Sequence, residues 1–501
     1  MIPTTERRAR LTGITVWTAV LGLAIVVGVS ASRGGHGLAV AGVVAAAAVV
    51  AAVGLRIRVP SRSGILAVEV PVVLLGLSSL VFRIRDTTSL STNPLDAAGL
   101  FRLACIGGAA LLCVMALLQS DIKGGLASLR TARPLWLYVA YIVVICLGIT
   151  RSVYPLLTAF HAVNIVVSLL VILTAYLTMA DRGLDRLEKT IFWFIVAHVA
   201  TAWLGVVVFP SEALRAASPF PFRIEGVMPY LASDRLGEYG CVLFFWAYAS
   251  RNGLLRDRVV ASNRIAFGLE CFGIVSLLAA QYRTGYVAFG VGVLVLLALH
   301  GRAVLASAIA LCGFIVVRFG QTLFAPLFAF VLRGQGINVA SSLSGRTSLW
   351  AAAVPIWKQS PIIGGGIETA SRFLVLDSLG RGYTGSVHGS WIEALVGTGI
   401  VGISLLAATV LLCLHRGYLL AARGGRLAPI LVLAVLAVRS ITGSSFETFG
   451  MESMLFLAML MAVRSPQPFH APVPDIVPRD PYADLPAPGG LPPGAPEGAL
   501  T

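Results

Sequence analysis

Long apolar stretches recur along almost the whole chain and are separated by short polar connections. Most run for roughly 17 to 25 residues, the length of helix that crosses the ~30 Å hydrocarbon core of a bilayer. Their apolar positions are continuous rather than alternating, which argues against transmembrane strands. The pattern predicts an all-α, polytopic integral membrane helical bundle of about 14 transmembrane helices. The predicted spans lie near residues 13–30, 37–55, 65–82, 98–119, 134–150, 157–180, 188–209, 236–250, 265–281, 284–300, 303–319, 389–414, 427–439 and 447–463.

Composition agrees with this fold class. Of the 501 residues, 57% are hydrophobic and 12% charged, and the mean hydropathy is +0.87, values that exclude an ordinary soluble domain. The 7 cysteines lie in apolar stretches and none forms a CxxC pair, so neither a disulfide framework nor a metal site is predicted. Residues 465–501 are rich in proline and poor in large apolar residues, which predicts a disordered cytoplasmic tail after a transmembrane domain at 1–464.

The basic residues predict how the helices cross the membrane, because arginine and lysine concentrate in cytoplasmic connections. They cluster in alternate connections, among them residues 181–187, 251–264 and 415–426. Both termini are therefore predicted to be cytoplasmic, and the connections at 210–236 and 320–388 to be extracytoplasmic. The 320–388 loop lies between spans 11 and 12. The basic N-terminus followed by an apolar run also fits a cleavable signal peptide, but a retained first span is the favoured interpretation.

The net charge of +15 is explained by these basic connections, which face anionic lipid head groups. No stripe of arginine and lysine interleaved with aromatics occurs in a soluble segment large enough to fold, so no nucleic-acid partner is predicted. On the predicted outer side, several arginines accompany one histidine, a combination that suits a polyanion because the guanidinium group can bind phosphate oxygens through two parallel N–H groups. In chain order the outer polar residues are Arg223, Glu225, Asp234, Arg235, Glu238, Tyr282, Arg283, Arg346 and His388.

Arg346 is expected in the first turn of a helix at residues 345–359, with Ser344 as its N-cap and an end at Ser360 and Pro361. Free backbone N–H groups and the positive end of the helix dipole favour an anion there. An equally good interpretation is a surface helix in which Arg346 only reaches lipid head groups. The apolar face of this helix is predicted to hold Leu349, Trp350, Ala353 and Trp357.

Two other features of the long loop also allow two interpretations. The run from Gly364 to Gly366 could cradle a phosphate, but without the GxxxxGK[ST] context a turn after the helix is favoured. His388 combines an outer location with a helix start just after it, whereas a single histidine without partners is more often structural than catalytic.

Four short segments follow one another along the second half of the chain: Tyr282-Arg-Thr-Gly285, Ser344-Gly-Arg-x-x-x-Trp350, Pro361-Ile-Ile-Gly-Gly-Gly366 and His388-Gly-Ser-Trp-Ile-Glu-Ala-Leu-Val-Gly-Thr-Gly-Ile-Val-Gly402. In this order they resemble the O-antigen ligase and O-antigen polymerase superfamily of bacterial envelope glycosyltransferases. The resemblance covers about residues 220 to 410, and the remainder matches only as a bundle of helices.

The resemblance implies transfer of a glycan from a polyprenyl-diphosphate carrier to a hydroxyl of a glycan or lipid acceptor. The transfer would polymerise or ligate a cell-envelope polysaccharide at the outer face of the bacterial cytoplasmic membrane, with membrane lipids and envelope polysaccharide assembly proteins as further partners. The carrier's tail is expected near the apolar stretch 323–332, although a plain packing role explains the aromatic residues of this stretch at least as well.

The resemblance also implies roles for single residues. Arg283 and Arg346 would engage the diphosphate and His388 would be catalytic, while Arg223, with Arg235 as a competing match, would be a further diphosphate-binding arginine. Glu393 takes the acidic position after the histidine, where it either orients His388 or packs against a neighbouring arginine. The chain departs from the family pattern in two places: Gly389 replaces the usual asparagine and Tyr282 the usual serine. What the resemblance implies about the geometry of the acceptor therefore carries over to this chain least.

Reaction chemistry agrees with these roles. The charge that builds on a diphosphate leaving group is stabilised either by a divalent metal or by fixed cations. The outer loops lack a DxD-type acidic pair and supply Arg283 and Arg346 instead, so the prediction is a metal-independent enzyme without cofactors. A neutral imidazole is suited to accept the acceptor's proton, which makes His388 the expected general base, with inversion at the anomeric carbon.

Two other functions remain as alternatives. A flippase or exporter of lipid-linked glycans would place ionisable groups near the bilayer midplane, for which Glu69 and Glu270 are candidates. A metal-dependent glycosyltransferase would need acids in the first outer loop, and residues 31–37 have none. Polymerase is favoured over ligase only because that group is broader.

Overall fold

The computed structural model describes residues 65–81, 97–216, 222–253, 257–319, 346–380, 387–447 and 450–464. Over these ranges the chain is mostly helical, with two antiparallel ribbons of two-residue strands, β1 (Leu214–Arg215) with β2 (Arg223–Ile224) and β3 (Gly226–Val227) with β4 (Tyr230–Leu231). The helices are α1 (Val70–Ser79), α2 (Ala97–Leu118), α3 (Lys123–Leu129), α4 (Arg133–Gly148), α5 (Pro155–Met179), α6 (Asp181–Val208), α7 (Pro210–Ala213), α8 (Ser233–Asn252), α9 (Asn263–Ala280), α10 (Arg283–Leu299), α11 (Ala303–Phe319), α12 (Arg346–Gln359), α13 (Leu376–Ser378), α14 (Ser390–Ala422), α15 (Ala428–Thr442) and α16 (Met451–Ala462).

All the predicted spans from the third to the fourteenth coincide with helix. Six described helices, α2, α4, α5, α6, α9 and α14, are long and apolar enough to cross a membrane, and α1, α10, α11, α15 and α16 are shorter apolar helices. The helix α8 belongs to neither group, since Asp234, Arg235, Glu238 and Arg251 interrupt its apolar character. The structure thus confirms an all-α membrane fold for the described part of the chain. Spans 13–30 and 37–55, the stretch 323–332, Ser344 and the tail lie outside the described residues.

The helices α8 and α9 approach each other closely where glycine faces glycine. A Cβ atom added to Gly240 would lie 2.6 Å from the Gly273 carbonyl oxygen, and one added to Gly273 would lie 2.6 Å from the Gly240 oxygen. Small residues at such a crossing let two backbones pack directly, as is common between helices in a membrane. Helix α8 also carries fully buried aromatic side chains, including Tyr239, Phe245 and Trp246.

The helix α14 is broken at Gly399, whose φ of +65° lies in the left-handed region that favours glycine. Residues 361–366 run along this break and satisfy its backbone groups. The Gly365 and Gly366 N–H groups donate to Val396 and Gly397 at 2.9 and 3.0 Å, and the Ile400 N–H donates to Pro361 at 2.9 Å. The segment after α12 is therefore fixed to the helix that follows His388.

Connections that the charge pattern assigns to one side of the membrane meet at one end of the bundle. Arg426 donates to Glu188 at 3.0 Å and to Asp257 at 3.1 Å, and all three side chains are largely buried. Arg464, after α16, pairs with Asp181 at the start of α6 at 2.6 Å. The groups around His388 lie at the other ends of these helices.

Candidate active site

His388 lies directly before α14, where three distant segments converge. The Trp350 side chain on α12 donates from Nε1 to the Val387 carbonyl at 3.2 Å. On the other side, the Ser390 N–H and hydroxyl both donate to the Gly443 carbonyl, at 3.1 and 3.0 Å. These bonds join the helix start to α12 and to the segment after α15.

His388 itself is half-buried, with a φ of +51°. A non-glycine residue in this region is strained, and such strain persists where the surrounding structure fixes the backbone. Burial lowers the pKa of the imidazole, and the charges of Arg346 and Arg439 lower it further, while Asp234 acts in the opposite direction. The ring is therefore neutral near pH 7, the state that a general base needs.

Arg346 and Arg283 each occupy the first position of a helix. Helix α12 begins at Arg346 and ends at Gln359, with Leu349 and Ala353 buried, in agreement with the predicted helix. Helix α10 begins at Arg283. The charge of Arg346 acts on Arg283 as well as on His388, and burial lowers the pKa of Arg346. Two like charges close together at two helix N-termini produce a strongly positive region.

Arg439 near the end of α15 is a central residue that the sequence interpretation missed. Its side chain is 4% exposed; its Nε donates to Glu238 at 2.7 Å and its Nη2 lies 3.5 Å from Asp234. The guanidinium carbon lies 6.0 Å from the centre of the Tyr282 ring. An arginine within an apolar stretch is itself a signal of function or of a buried partner, and this signal was available in the sequence.

Arg235 pairs with Glu452 of α16, with Nε 3.4 Å from Oε1, and the Tyr239 hydroxyl donates to the same oxygen at 3.3 Å. The charge of Arg235 also acts on Asp234 and, on the other side, on Glu368. The structure thus brings Arg235 to the charged group around His388, with an acidic partner of its own.

Arg223 is engaged differently. Its Nη2 lies 2.8 Å from Glu225, which Arg215 also approaches at 3.6 Å. The strand that carries Arg223 is held beside the start of α10, because the Gln281 side chain donates to the Phe222 carbonyl at 2.8 Å.

Glu393 is completely buried, and its Oε1 atom accepts hydrogen bonds from the Glu368 N–H and the Ser371 hydroxyl, both at 2.8 Å. These bonds order residues 368–371 rather than His388. The acid whose charge acts on His388 is instead Asp234, about 150 residues earlier in the chain and therefore outside any local motif.

The run from Gly364 to Gly366 forms a turn, the interpretation favoured from the sequence. Gly364 and Gly366 have φ values of +71° and +97°. The three N–H groups donate to the carbonyls of Ser360, Val396 and Gly397, so these N–H groups are engaged within the protein.

Both departures from the family pattern have a local packing reason. Tyr282 is 5% exposed and lies against Gly237 and Gly285, where added Cβ atoms would fall 2.6 Å from its side chain. A Cβ atom at Gly389 would lie 3.1 Å from the Ile441 carbonyl oxygen and 3.5 Å from the Trp350 Nε1 atom. A side chain at position 389 would therefore press on the contact that joins Trp350 to the His388 segment.

The two acids considered for a transport pathway are paired with arginines. Glu270 receives two hydrogen bonds from Arg251, at 2.8 and 2.7 Å, and Glu69 lies 4.0 Å from Arg186. Within the described ranges, no group of three or more His, Cys, Asp and Glu side chains is arranged to hold a metal ion.

The fold and the site define an integral membrane protein in which arginines, acids and one histidine converge at one end of a helical bundle. Residues 271–407 match the family model described as O-antigen ligase, and this match supports membership of the O-antigen ligase family. No curated protein matches the chain. The matched segment contains Arg283, Arg346, His388 and Glu393. The family match indicates a glycosyltransferase-like activity of the O-antigen ligase type in the cell envelope, with a lipid-linked glycan donor and an acceptor in the membrane.

Proposed function

We propose that the protein transfers a glycan from a polyprenyl-diphosphate carrier to an acceptor hydroxyl at the outer face of the bacterial cytoplasmic membrane, without a metal ion. The observation that carries this proposal is the junction of α12 with the His388 segment. The hydrogen bond from Trp350 to Val387 holds the helix that starts at Arg346 beside the residue that precedes His388. A cationic group and a neutral imidazole are thereby presented to one substrate.

Arg283 and Arg346 are suited to bind the diphosphate of the donor. Each lies at a helix N-terminus, where the dipole favours an anion. A bound diphosphate would relieve the repulsion between the two guanidinium groups. The same groups would stabilise the charge that develops on the leaving oxygen.

His388 is suited to accept the proton of the acceptor hydroxyl. Its lowered pKa keeps the imidazole neutral, so that it can take the proton of the attacking hydroxyl. The acceptor oxygen then bonds to the anomeric carbon, and the bond from that carbon to the phosphate oxygen breaks. The bonding electrons leave with the polyprenyl diphosphate and the proton stays on His388 until water removes it. Attack opposite the leaving group inverts the anomeric configuration.

A reconstituted assay tests the proposal. The purified protein in lipid vesicles is supplied with lipid-linked glycan extracted from native membranes, in EDTA. We expect transfer by the wild type and loss of transfer by His388→Ala and Arg346→Ala. His415→Ala and Arg423→Ala, which remove exposed side chains from the predicted cytoplasmic side, serve as matched controls.

The same assay separates the possible acceptors. Elongation with the donor alone indicates a polymerase, whereas a requirement for a second envelope glycan or lipid indicates a ligase. Transfer that persists in His388→Ala, or that stops in EDTA and returns with magnesium, contradicts the proposed mechanism.

A further inference from the structure

A second polar group lies beside the candidate active site and takes no part in the chemistry proposed above. It contains Glu368, which is buried, and Arg372, whose side chain is 22% exposed. The Arg372 Nε atom lies 3.1 Å from Glu368 Oε2, but the two are not oriented as a hydrogen bond. Both atoms are buried and lack a hydrogen-bond partner among the described residues. The two charges therefore compensate each other, and each atom keeps a hydrogen-bonding position that a ligand or water can fill.

The backbone around Glu368 is held in a strained conformation by several contacts. Glu368 has a φ of +63°, and its N–H donates to Glu393. The neighbouring Thr369 hydroxyl forms a closed triangle with those of Ser152 and Thr158, with sides of 2.7 to 2.8 Å. A strained residue that is fixed this firmly is characteristic of a functional position.

Aromatic and imidazole rings accompany the ion pair. The Phe373 ring, next to Arg372, lies 4.3 Å from the ring of Tyr154, and Tyr154 is 39% exposed. The imidazole of His161, half-buried on α5, lies within reach of the charges of Glu368 and Arg372. A sugar ring offers hydroxyl groups that both donate and accept, and apolar C–H faces. A carboxylate, a guanidinium group and an exposed aromatic ring provide partners for each of these features.

The position of this group distinguishes the acceptor sugar from the donor diphosphate. Glu393, whose side chain accepts a hydrogen bond from the Glu368 N–H, lies in the first turn of α14, the helix that begins two residues after His388. The charge of Arg346 acts on both Arg283 and His388, whereas the arginines whose charges act on Glu368 are Arg372 and Arg235. Glu368 is thus held by the helix that follows His388, whereas Arg283 and Arg346 stand at the starts of α10 and α12. An attacking hydroxyl approaches its base from the side away from the leaving group.

We propose that Glu368, Arg372, His161, Tyr154 and Phe373 form a subsite for a sugar ring of the acceptor glycan. The assignment to the acceptor rests on the proposed transferase function, whereas sugar binding by this group does not. The subsite positions the acceptor hydroxyl near His388 and contributes nothing to the bond-breaking step.

Binding and kinetics test this proposal separately. The probe is the oligosaccharide released from the native lipid-linked glycan by mild acid, which lacks the diphosphate. Its binding to the purified full-length protein is measured by saturation-transfer NMR, and its KM as acceptor is measured in the vesicle assay beside the KM of the lipid-linked donor. The variants are Arg372→Gln and Tyr154→Ala. Arg151→Gln, which removes an exposed arginine from the nearby α4–α5 connection, is the control.

We expect Arg372→Gln and Tyr154→Ala to raise the Kd and the acceptor KM by about tenfold, the effect of one lost charged hydrogen bond or one stacking contact. The donor KM and the Arg151→Gln values should stay within about twofold. If Arg372→Gln fails to fold, Tyr154→Ala decides alone, because its ring is partly exposed. Equal binding by wild type and variants, no binding by the wild type, or a parallel rise of both KM values overturns the proposal. Oligosaccharide binding that is lost in the variants while no protein transfers glycan supports the sugar subsite and refutes the transferase function.

Discussion

Replacing Trp350 with phenylalanine tests whether Arg346 and His388 work as one site. The Trp350 Nε1 atom donates a 3.2 Å hydrogen bond to the Val387 carbonyl. Phenylalanine retains an aromatic ring for packing and removes this donor. Val387 is fully buried, so water cannot easily replace the lost partner.

The size of the effect follows from that burial. A buried carbonyl that loses its partner costs about 1–3 kcal/mol. If the whole cost falls on the arrangement in which the His388 segment faces α12, the transfer rate drops by roughly 5- to 150-fold. The free energy of unfolding should fall by no more than the same ~1–3 kcal/mol, because α12 keeps its buried face of Leu349 and Ala353.

Trp357→Phe is the matched control. Trp357 lies on the same helix, and its Nε1 atom also donates a 3.2 Å hydrogen bond, to the carbonyl of Pro361 four residues later. Pro361 is exposed, so water replaces the donor and the rate should stay within about twofold. Initial transfer rates and thermal unfolding of both variants are compared with the wild type. Equal rates in the two variants, or a wild-type rate in Trp350→Phe, would refute the coupling of α12 to His388.

Three further predictions follow from the same contacts. The acid limb of the pH–rate profile should lie below pH 6.5, since burial and Arg346 lower the pKa of His388, the proposed base. Asp234→Asn removes a charge that raises this pKa, so the limb should move to still lower pH. A move to higher pH would contradict the effect of Asp234 on His388. Arg439→Gln leaves Glu238 buried without its 2.7 Å partner and should lower the free energy of unfolding by about 3–5 kcal/mol, whereas Arg423→Gln at an exposed position should change it by no more than about 0.5 kcal/mol. Gly399→Ala places a Cβ atom 2.3 Å from the Ile362 oxygen and should destabilise more than Gly424→Ala, whose φ of +73° is similar but whose Cβ meets nothing within 4 Å; equal melting temperatures would show that the break in α14 relaxes freely.

Lipid makes the helices predictable, because only continuous apolar stretches can cross it. The hydropathy of these stretches locates the ends of the helices poorly. The prediction started a span at 188, while α6 begins at Asp181, since the helix continues through charged residues where hydropathy falls. The break at Gly399 was also missed. Hydropathy is uniform across it, and its cause is the pairing with residues 361–366, which hydropathy does not record.

The candidate site likewise contains some residues that the sequence predicts and others that only the folded structure brings together. Arg283, Arg346 and His388 stand in short segments with local signals, namely a helix start or a resemblance, and these signals are the basis on which sequence reasoning predicts them as site residues. Arg439 belongs to no motif, and its position within an apolar stretch signals a buried partner without saying which residue that partner is. Its partner Glu238 is 201 positions away, and only the packing of α8 against α15 brings them together. For Glu393 the resemblance left two interpretations, that it orients His388 or that it packs against a neighbouring arginine; in the structure its carboxylate binds the 368–371 segment.

The pattern of ion pairs supports the proposal that fixed cations, rather than a metal ion, stabilise the leaving group. A divalent cation needs carboxylate oxygens that can turn towards it. Asp234 and Glu238 are engaged by Arg439, and Glu452 is engaged by Arg235, so recruiting them would break buried ion pairs at a cost of several kcal/mol. Arg346 forms no ion pair among the described residues, and its charge acts on both Arg283 and His388. Because the acids are occupied by Arg439 and Arg235, the positive charge that remains is concentrated at the starts of α10 and α12. Chelation is therefore expected to leave transfer intact, while the loss of the Arg346 guanidinium group abolishes it.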